Sequence, residues 1–268
     1  MSLTDTVFAG SIPSVYDRYM VPLLFRPYAL AAAERARTLQ PKRVLETAAG
    51  TGVLTEELHR VLPEAELVAT DLNQPMLDEA ARRVRAPKVR FQQADALDLP
   101  FDDGSVDLVA CQFGIMFFPD KVQGNVEARR VLRDGGRYIL AIWDHIDRNL
   151  ATKVAGAALA DLFPDDTAAF YERIPFRYHD TEVIERDLRS AGFGDVMIET
   201  VDLRSRAASA RDAAIGLTQG TPMRSEIEKR GAKALMTATA VAADALRQFE
   251  GPEGFDAPMS AHIVTATK

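Results

Sequence analysis

Apolar residues recur along this chain in two alternating patterns, one of strand type and one at helical spacing. The stretch "KRVLETA" (42–48) is short and apolar in its middle, which predicts a strand. The stretch "GVLTEELHRVL" (52–62) carries its apolar residues at helical spacing, and Pro63 ends that helix. Strand and helix continue to alternate as far as Trp143. This order is typical of a parallel sheet with helices on both faces.

The same patterns predict an α/β fold with a doubly wound, seven-stranded, mostly parallel sheet. Crossovers between parallel strands are right-handed, which leaves few topologies. The predicted strands cover residues 42–48, 65–72, 88–95, 105–114, 135–143, 195–203 and 260–268.

Three segments interrupt the alternation and are predicted to form a helical cap on a single domain. The core is expected at about 30–147, 180–205 and 258–268, and the cap at about 1–28, 148–179 and 206–257. A loop as long as the last segment is expected to have structure of its own. Its alanine-rich part, 232–246, could also pack against a second copy of the chain, so a homodimer stays open.

The composition is that of an ordinary globular protein, with 47% hydrophobic and 26% charged residues. A net charge of −7 argues against a nucleic-acid partner, because phosphate binding depends on Lys and Arg. Cys111 is the single cysteine, which excludes an internal disulfide and a cysteine-based metal cluster, and no metal site is expected. Residues 1–10 lack the pattern of a signal peptide, and no apolar run reaches the ~18 residues of a membrane span. We therefore expect a cytoplasmic protein.

A turn of small residues joins the first predicted strand to the helix after it, in "RVLETAAGTGVLTEEL" (43–58). Gly50 and Gly52 tolerate positive φ and let a ligand approach the backbone. The helix that follows offers unpaired N–H groups and the positive end of its dipole. Ligands of open parallel sheets bind beyond the carboxyl ends of the strands. The turn is therefore predicted to bind something small and polar.

Each of the first three predicted strands ends in an acidic residue, namely Glu46, Asp71 and Asp95. Asp71 can accept hydrogen bonds from two ribose hydroxyls, and Asp95, followed by Ala96, suits an adenine amine. Any one of these acids alone is more often a helix cap or a loop residue, and Asp71 and Asp95 could be N-cap residues. Their regular spacing beside a glycine turn favours one nucleoside site shared by all three.

Four segments, "VLETAAGTG", "ATDLNQPML", "FQQADALDLPF" and "RVLRDGGRYIL", resemble successive motifs of the class I S-adenosylmethionine-dependent methyltransferases. The similarity is to the small-molecule branch that includes quinone-biosynthesis-type enzymes, and it covers about 14–143 well and 180–200 loosely. It implies an enzyme with S-adenosyl-L-methionine as cofactor and a small-molecule methyl acceptor. By position it implies the following cofactor-binding residues: Tyr16, Tyr19, Glu46, Ala48, Gly50, Gly52, Asp71, Leu72, Met76, Asp95, Ala96, Gln112 and Phe113.

The resemblance also implies individual roles for some of these residues. Glu46 lies near the methionine amino group, while Gln112 and Phe113 line the methionine end and the substrate entrance. Tyr16 and Tyr19 belong to an N-terminal aromatic stretch that closes over the cofactor in many relatives.

Ala48 departs from the family pattern, which more usually has glycine at the first small position of the turn. A methyl group there fits only if φ of Ala48 is negative. We therefore expect reduced backbone clearance and retained binding.

Two other functions stay open. A nicotinamide-dependent oxidoreductase would need Gly-x-Gly-x-x-Gly, whereas this chain reads Ala-x-Gly-x-Gly and places Glu46 where a pyrophosphate would lie. A binding module for the same cofactor without turnover, acting as a sensor or scaffold, would carry the same binding positions.

The chemistry of the acceptor is less well marked. Phe113, Met116, Phe117 and Phe118 suggest an apolar pocket, and hence a small hydrophobic or aromatic acceptor rather than a protein or nucleic acid. Asp144 and His145 follow the fifth strand and are weak candidates for a general base, which must lie within ~3 Å of the proton it takes. A helix-entry cap or a surface pair is the alternative for these two residues.

Overall fold

The computed structural model describes residues 12–164 and 169–268, and these divide into two compact units. The sheet unit comprises Tyr28–Trp143, Tyr178–Val201 and Ala261–Lys268. The helical unit comprises the described parts of Met1–Pro27, Asp144–Arg177 and Asp202–Ser260. Residues 1–10, where no signal peptide is expected, and part of the predicted cap segments lie outside the described residues. The division into one core and one cap stays a prediction.

The described residues form one sheet of eight strands. They are β1 (Arg43–Glu46), β2 (Glu66–Asp71), β3 (Val89–Gln93), β4 (Val106–Gln112), β5 (Leu132–Trp143), β6 (Val196–Ala207), β7 (Glu250–Gly251) and β8 (Gly254–Thr267). Their order in the sheet is β3-β2-β1-β4-β5-β8-β6, with β7 paired to β8 alone. The four pairs from β3 to β5 are parallel, and β8 runs antiparallel to β5. The predicted doubly wound, mostly parallel sheet is therefore confirmed.

Helices connect the parallel strands and fill most of the helical unit. They are α1 (Ile12–Val15), α2 (Arg26–Leu39), α3 (Val53–Val61), α4 (Gln74–Arg83), α5 (Lys121–Val131), α6 (Leu150–Leu162), α7 (Ala169–Arg173), α8 (Thr181–Ser190), α9 (Ala210–Gln219), α10 (Met223–Glu228) and α11 (Ala234–Leu246). A π-helix, Tyr16–Phe25, lies between α1 and α2. No helix among the described residues is long and apolar enough to cross a membrane.

The sheet order places the switch point between β1 and β4. From β1 the chain moves outward to β2 and β3, and then returns to pair β4 with the other side of β1. The start of α3 packs closely against α4 near this point. A Cβ built on Gly52, the residue before α3, would lie only 2.9 Å from Cβ of Ala80 in α4. Ligands of such sheets bind at the switch point, beyond the carboxyl ends of the strands.

The C-terminal half of the chain contains more strand than predicted. β6 extends to Ala207, and β8 begins at Gly254, six residues before the predicted start at 260. The extra length of β8 is stabilised by the two-residue strand β7, which pairs Glu250 with Phe255. The residues before 260 hide this strand because they include Pro258, which lies within β8 and is a residue that disfavours strand pairing.

Candidate functional site

Glu46 is the last residue of β1, and its side chain is almost completely buried, with 1% exposed. Oε2 of Glu46 accepts a hydrogen bond of 2.6 Å from the hydroxyl of Thr55 in α3. The backbone oxygen of Glu46 accepts a second one, 2.9 Å long, from the hydroxyl of Thr70 in β2. Neither donor is charged, and no Lys, Arg or His among residues 12–164 and 169–268 forms an ion pair with this carboxyl group.

Burial raises the pKa of Glu46 to about 8, against the opposing effect of the Thr55 hydrogen bond. The nearby Asp71 carboxylate raises this pKa further. Because a buried acid without a cationic partner is more stable in its neutral form, Glu46 is largely protonated at neutral pH.

The small-residue turn lies directly after β1 and is held by backbone hydrogen bonds. The amide of Thr47 donates to the oxygen of Ala110 in β4, and the amide of Ala49 donates to the oxygen of Thr70 in β2, both at 2.9 Å. Gly50 and Gly52 have φ values of 56° and 80°, so both glycines use the left-handed region that the sequence predicts for them.

The expectation of a negative φ at Ala48 is wrong, because φ of this residue is 53°. A non-glycine residue in the left-handed region is disfavoured by contact between its Cβ and the backbone. Its methyl group is accommodated by a glycine on the neighbouring strand end. A Cβ built on Gly114 would lie only 2.4 Å from Cβ of Ala48, so the alanine methyl occupies space that Gly114 leaves open.

Asp71 ends β2, and both of its carboxylate oxygens are tied to the local backbone. Oδ2 accepts from the amide of Gly50 at 2.9 Å, and Oδ1 accepts from the amide of Asn73 at 2.8 Å. Burial raises the pKa of Asp71, while the hydrogen bonds from Asn73 and Gly50 act in the opposite direction. Asp71 therefore fixes the glycine turn as well as presenting a carboxylate at the switch point.

The third predicted acid differs from the first two in its surroundings. Asp95 is exposed and lies two residues beyond the end of β3, where its Oδ1 accepts from the amide of Leu97 at 2.9 Å. The amide of Ala94 donates to the backbone oxygen of Asp71 at 3.1 Å, so the residue before Asp95 is paired with the end of β2. Asp95 is a turn-forming loop acid in this structure and is not a helix cap.

Leu72, Met76 and Ala96 are the apolar members of the predicted cofactor-binding set at this edge of the sheet. Leu72 is 54% exposed, Met76 is buried and Ala96 is half-buried. Leu72 is thus a large apolar side chain that solvent reaches directly beside Asp71. Its contact with a ligand stays a prediction.

The residues after β4 pack in an aromatic cluster. Gln112 is half-buried at the end of β4, and Phe113 has φ of 53° and is buried. The ring of Phe113 stacks on Trp143 with 3.8 Å between centroids, and Tyr28 meets both rings edge-on. The chain thus has a non-glycine residue with positive φ just after β1, at Ala48, and just after β4, at Phe113.

Four further predicted residues belong to the helical unit. Tyr16 stacks on Phe25, and Tyr19 lies against Gly216 of α9, so their contact with a cofactor stays a prediction. Asp144 accepts hydrogen bonds from the amide of His145 and the hydroxyl of Ser260. Nδ1 of His145 accepts from the amide of Asp147, in the manner of a helix-entry cap. This geometry favours the capping alternative, and the role of a base stays a weak hypothesis.

The sequence analysis missed two residues that shape the site, Thr55 and Gly114. Thr55 is a fully buried polar residue on the apolar face of α3, beside Leu54 and Leu58, and such a position was a usable signal. Gly114 had no comparable signal, because its partner Ala48 is 66 residues away. No cluster of His, Cys, Asp and Glu that could hold a metal ion occurs among the described residues.

Comparisons with known proteins agree with this geometry. A family model described as a methyltransferase domain matches residues 44–136, which contain β1 to the start of β5. A demethylmenaquinone methyltransferase from Deinococcus radiodurans is 43% identical over 117 residues, which are 43% of this chain and 48% of that protein. A protein of the same name from Clavibacter sepedonicus is 32% identical over 199 residues, which are 69% of this chain and 80% of that protein. The chain belongs to the class I S-adenosylmethionine-dependent methyltransferases of quinone-biosynthesis type.

The cofactor of this methyltransferase family is S-adenosylmethionine, and both the predicted family and the predicted cofactor are confirmed. The match spans about half the length of the Deinococcus relative and of a Thermus thermophilus protein of the same name. The structure of the YcgJ protein from Bacillus subtilis has the same fold, with a TM-score of 0.57 at 20% identity, covering 89% of this chain and 98% of that one. Neither the oxidoreductase nor the non-catalytic module gains support from these matches.

Proposed function

We propose that this chain transfers the methyl group of S-adenosylmethionine to a small apolar acceptor of the quinone class. The observation that supports this most directly is the pair formed by Glu46 and Asp71. Two buried acids end adjacent strands at the switch point, and the glycine turn between them is hydrogen-bonded to Asp71. Burying a carboxyl group without a cation is costly, which argues for a ligand that supplies positive charge.

The residues present fit the cofactor. Glu46 would face the ammonium group of the cofactor, and Asp71 would face its ribose hydroxyls. The backbone of the glycine turn would contact the cofactor directly. Leu72, Met76 and the Asp95-Ala96 pair would surround the adenine, although Asp95 is exposed. When bound, the cofactor supplies an electrophilic methyl group on a positively charged sulfur.

The protein's contribution to methyl transfer is alignment and exclusion of water. The stacked rings of Phe113 and Trp143, together with Tyr28, form a buried apolar wall after β4 and β5. Ile115 and Met116, which follow Phe113 in the chain, are buried, while Phe117 and Phe118 are half-buried. A wall of this kind favours a planar apolar acceptor over a peptide or a nucleic acid.

The relatives point to the same class of acceptor. The Deinococcus and Clavibacter proteins are named for demethylmenaquinone, and a relative from Stutzerimonas stutzeri is named for ubiquinone and menaquinone biosynthesis. By analogy with these relatives, the acceptor proposed for this chain is a reduced quinone, methylated on its ring. Methylation of a reduced ring releases a proton, and Asp144 and His145 are weak candidates to take it. A cytoplasmic location and a homodimer remain expectations.

The test is methyl transfer from S-adenosylmethionine to a panel of hydroquinones, phenols, peptides and RNA. We expect product only with the aromatic small molecules. Asp71→Ala should abolish most of the activity, and Asp98→Ala, which removes an exposed acid from the loop after β3, is the control. Methylation of peptides or RNA alone, or no binding of S-adenosylhomocysteine, would contradict the proposal.

A further inference from the structure

Glu46 is a buried acid that nothing in the described residues neutralises with a positive charge. The groups that face it are the Thr55 hydroxyl from α3, the Asp71 carboxylate from β2 and the Cys111 thiol from β4. The Thr55 hydroxyl is neutral, burial raises the pKa of the Cys111 thiol to about 11 so that it too is neutral, and Asp71 is an acid. Burial and the Asp71 carboxylate disfavour a negative charge on Glu46, and the Thr55 hydrogen bond opposes them only in part.

A ligand with an ammonium group would reverse this balance. An opposite charge within about 4–6 Å of a carboxyl group favours the ionised form. Glu46 would then change from a neutral acid without a cationic partner among the described residues to a carboxylate paired with the ligand.

We propose that Glu46 is protonated in the free chain and releases its proton to solvent when the cofactor ammonium binds, and that Thr55 positions the Glu46 carboxyl group for this exchange. The inference rests on the proposed function. The O–H bond of the Glu46 carboxyl group breaks, the proton goes to the buffer, and an ion pair with the ammonium takes its place. No bond of the cofactor changes in this step.

Thr55 acts as a positioning residue because its hydroxyl engages only one of the two Glu46 oxygens. Oε2 accepts the 2.6 Å bond from Thr55, which leaves Oε1 to face a ligand. Thr55 is itself fully buried, so solvent cannot replace its hydroxyl easily. Its hydrogen bond lowers the pKa of Glu46 and thereby eases the release of the proton.

The exchange can be measured by calorimetry of S-adenosylhomocysteine binding in buffers with different ionisation enthalpies. This probe carries the ammonium group and lacks the sulfonium charge. At pH 6.5 we expect release of about one proton per ligand bound, since a neutral group becomes ionised. By pH 9 the release should fall sharply, because Glu46 in the free chain has then already lost its proton.

Two controls separate Glu46 from other sources of protons. Glu46→Gln should bind the probe with little or no proton release at pH 6.5. 5′-Methylthioadenosine has the nucleoside and the sulfur without the amino-acid part, and it should bind the unaltered chain with no proton release. Equal release with both ligands would overturn the assignment to the ammonium group.

Thr55 is tested by Thr55→Val, which keeps the shape and removes the hydroxyl. The pH midpoint of proton release should move upward in this variant, and Thr55→Ser should restore it. A merely structural role would lower stability without moving this midpoint. Failure of the unaltered chain to bind S-adenosylhomocysteine would refute the proposed function, whereas binding without proton release at pH 6.5 refutes only the present inference.

Discussion

Ala48 and Gly114 share one small space at the switch point of the sheet. The methyl group of Ala48 lies where a side chain on Gly114 would have to go, 2.4 Å from the position of such a Cβ. Ala48 adopts φ of 53°, a conformation that glycine adopts at no steric cost. The turn after β1 and the loop after β4 are therefore matched in volume across the site.

Ala48→Gly should stabilise the protein slightly. The substitution relieves a left-handed alanine, which costs roughly 1–2 kcal/mol, but it also increases the freedom of the unfolded chain. We expect a net gain of up to about 1 kcal/mol in the free energy of unfolding by urea. Ala49→Gly is the matched control, because Ala49 has no positive φ, and it should destabilise. A loss of stability in both variants would argue against strain at Ala48.

Gly114→Ala should destabilise the protein, since its new methyl group would meet Ala48 at 2.4 Å and Sγ of Cys111 at 2.9 Å. Overpacking of this kind typically costs about 1–3 kcal/mol. The double variant with Ala48→Gly should recover part of the loss, because one of the two contacts disappears. Unfolding of all three variants in urea gives the coupling energy. Strict additivity would show that the two positions do not share space.

Asp71→Asn should weaken binding of S-adenosylhomocysteine by at least about tenfold, which corresponds to about 1.4 kcal/mol. An amide cannot accept hydrogen bonds from Gly50 and Asn73 at both of its terminal atoms and also bind ribose. Asp95→Asn is the comparison, and its exposed side chain should produce a smaller loss. Calorimetric titration measures both affinities. A larger effect at Asp95 would mean that the nucleoside is held mainly from β3.

Glu46 should make the stability of the free chain depend on pH. Its pKa is about 8 when folded and near 4.5 when unfolded, so the folded chain binds the extra proton between these values. Raising the pH through this window therefore favours unfolding, by at most about 1.4 kcal/mol per pH unit.

Glu46→Gln removes this dependence, so the variant should gain stability relative to the unaltered chain from pH 5.5 to pH 9. Urea unfolding at several pH values measures the difference in slope, which is independent of any constant effect of the substitution. Parallel curves for the two proteins would show that Glu46 is ionised in the free chain.

Asn125→Leu should stabilise the protein. Asn125 is fully buried in α5, and neither its Oδ1 nor its Nδ2 has a hydrogen-bond partner among the described residues. An unsatisfied buried polar group costs about 1–3 kcal/mol, which an apolar side chain of similar size avoids. Thermal unfolding measures the gain. Asn125→Asp, which places a charge in the same position, should lower the midpoint, and stabilisation by this variant instead would indicate a cation near α5.

The sheet was predictable because most of its strands are short runs of apolar residues separated by amphipathic helices. Strands β1 to β5 all overlap the segments that this pattern predicts. The ends of β6 and β8 were not predictable, because pairing with a distant strand extends them into residues that have weak strand character on their own. Gly254, for example, has φ of 99° and lies tightly against the backbone oxygen of Ala207.

The location of the site at the ends of β1 and β2 was predictable from the sequence, but the contacts between its side chains were not. Glu46 and Asp71 follow from the position of acids at the ends of apolar runs. The conformation of Ala48 depends on Gly114, and the state of Glu46 depends on Thr55 and on complete burial. These are properties of residues that meet only after folding, and local sequence patterns do not contain them.

Strand β8 is made after every other strand of the sheet, yet it lies between β5 and β6. While the ribosome is still translating residues 254–267, each of those two strands lacks its final neighbour. The nascent chain thus exposes unpaired strand edges late in synthesis, at the stage when association with other unfinished chains is most dangerous. Overproduction at low temperature, or together with a chaperone that shields such edges, should accordingly increase the yield of folded protein.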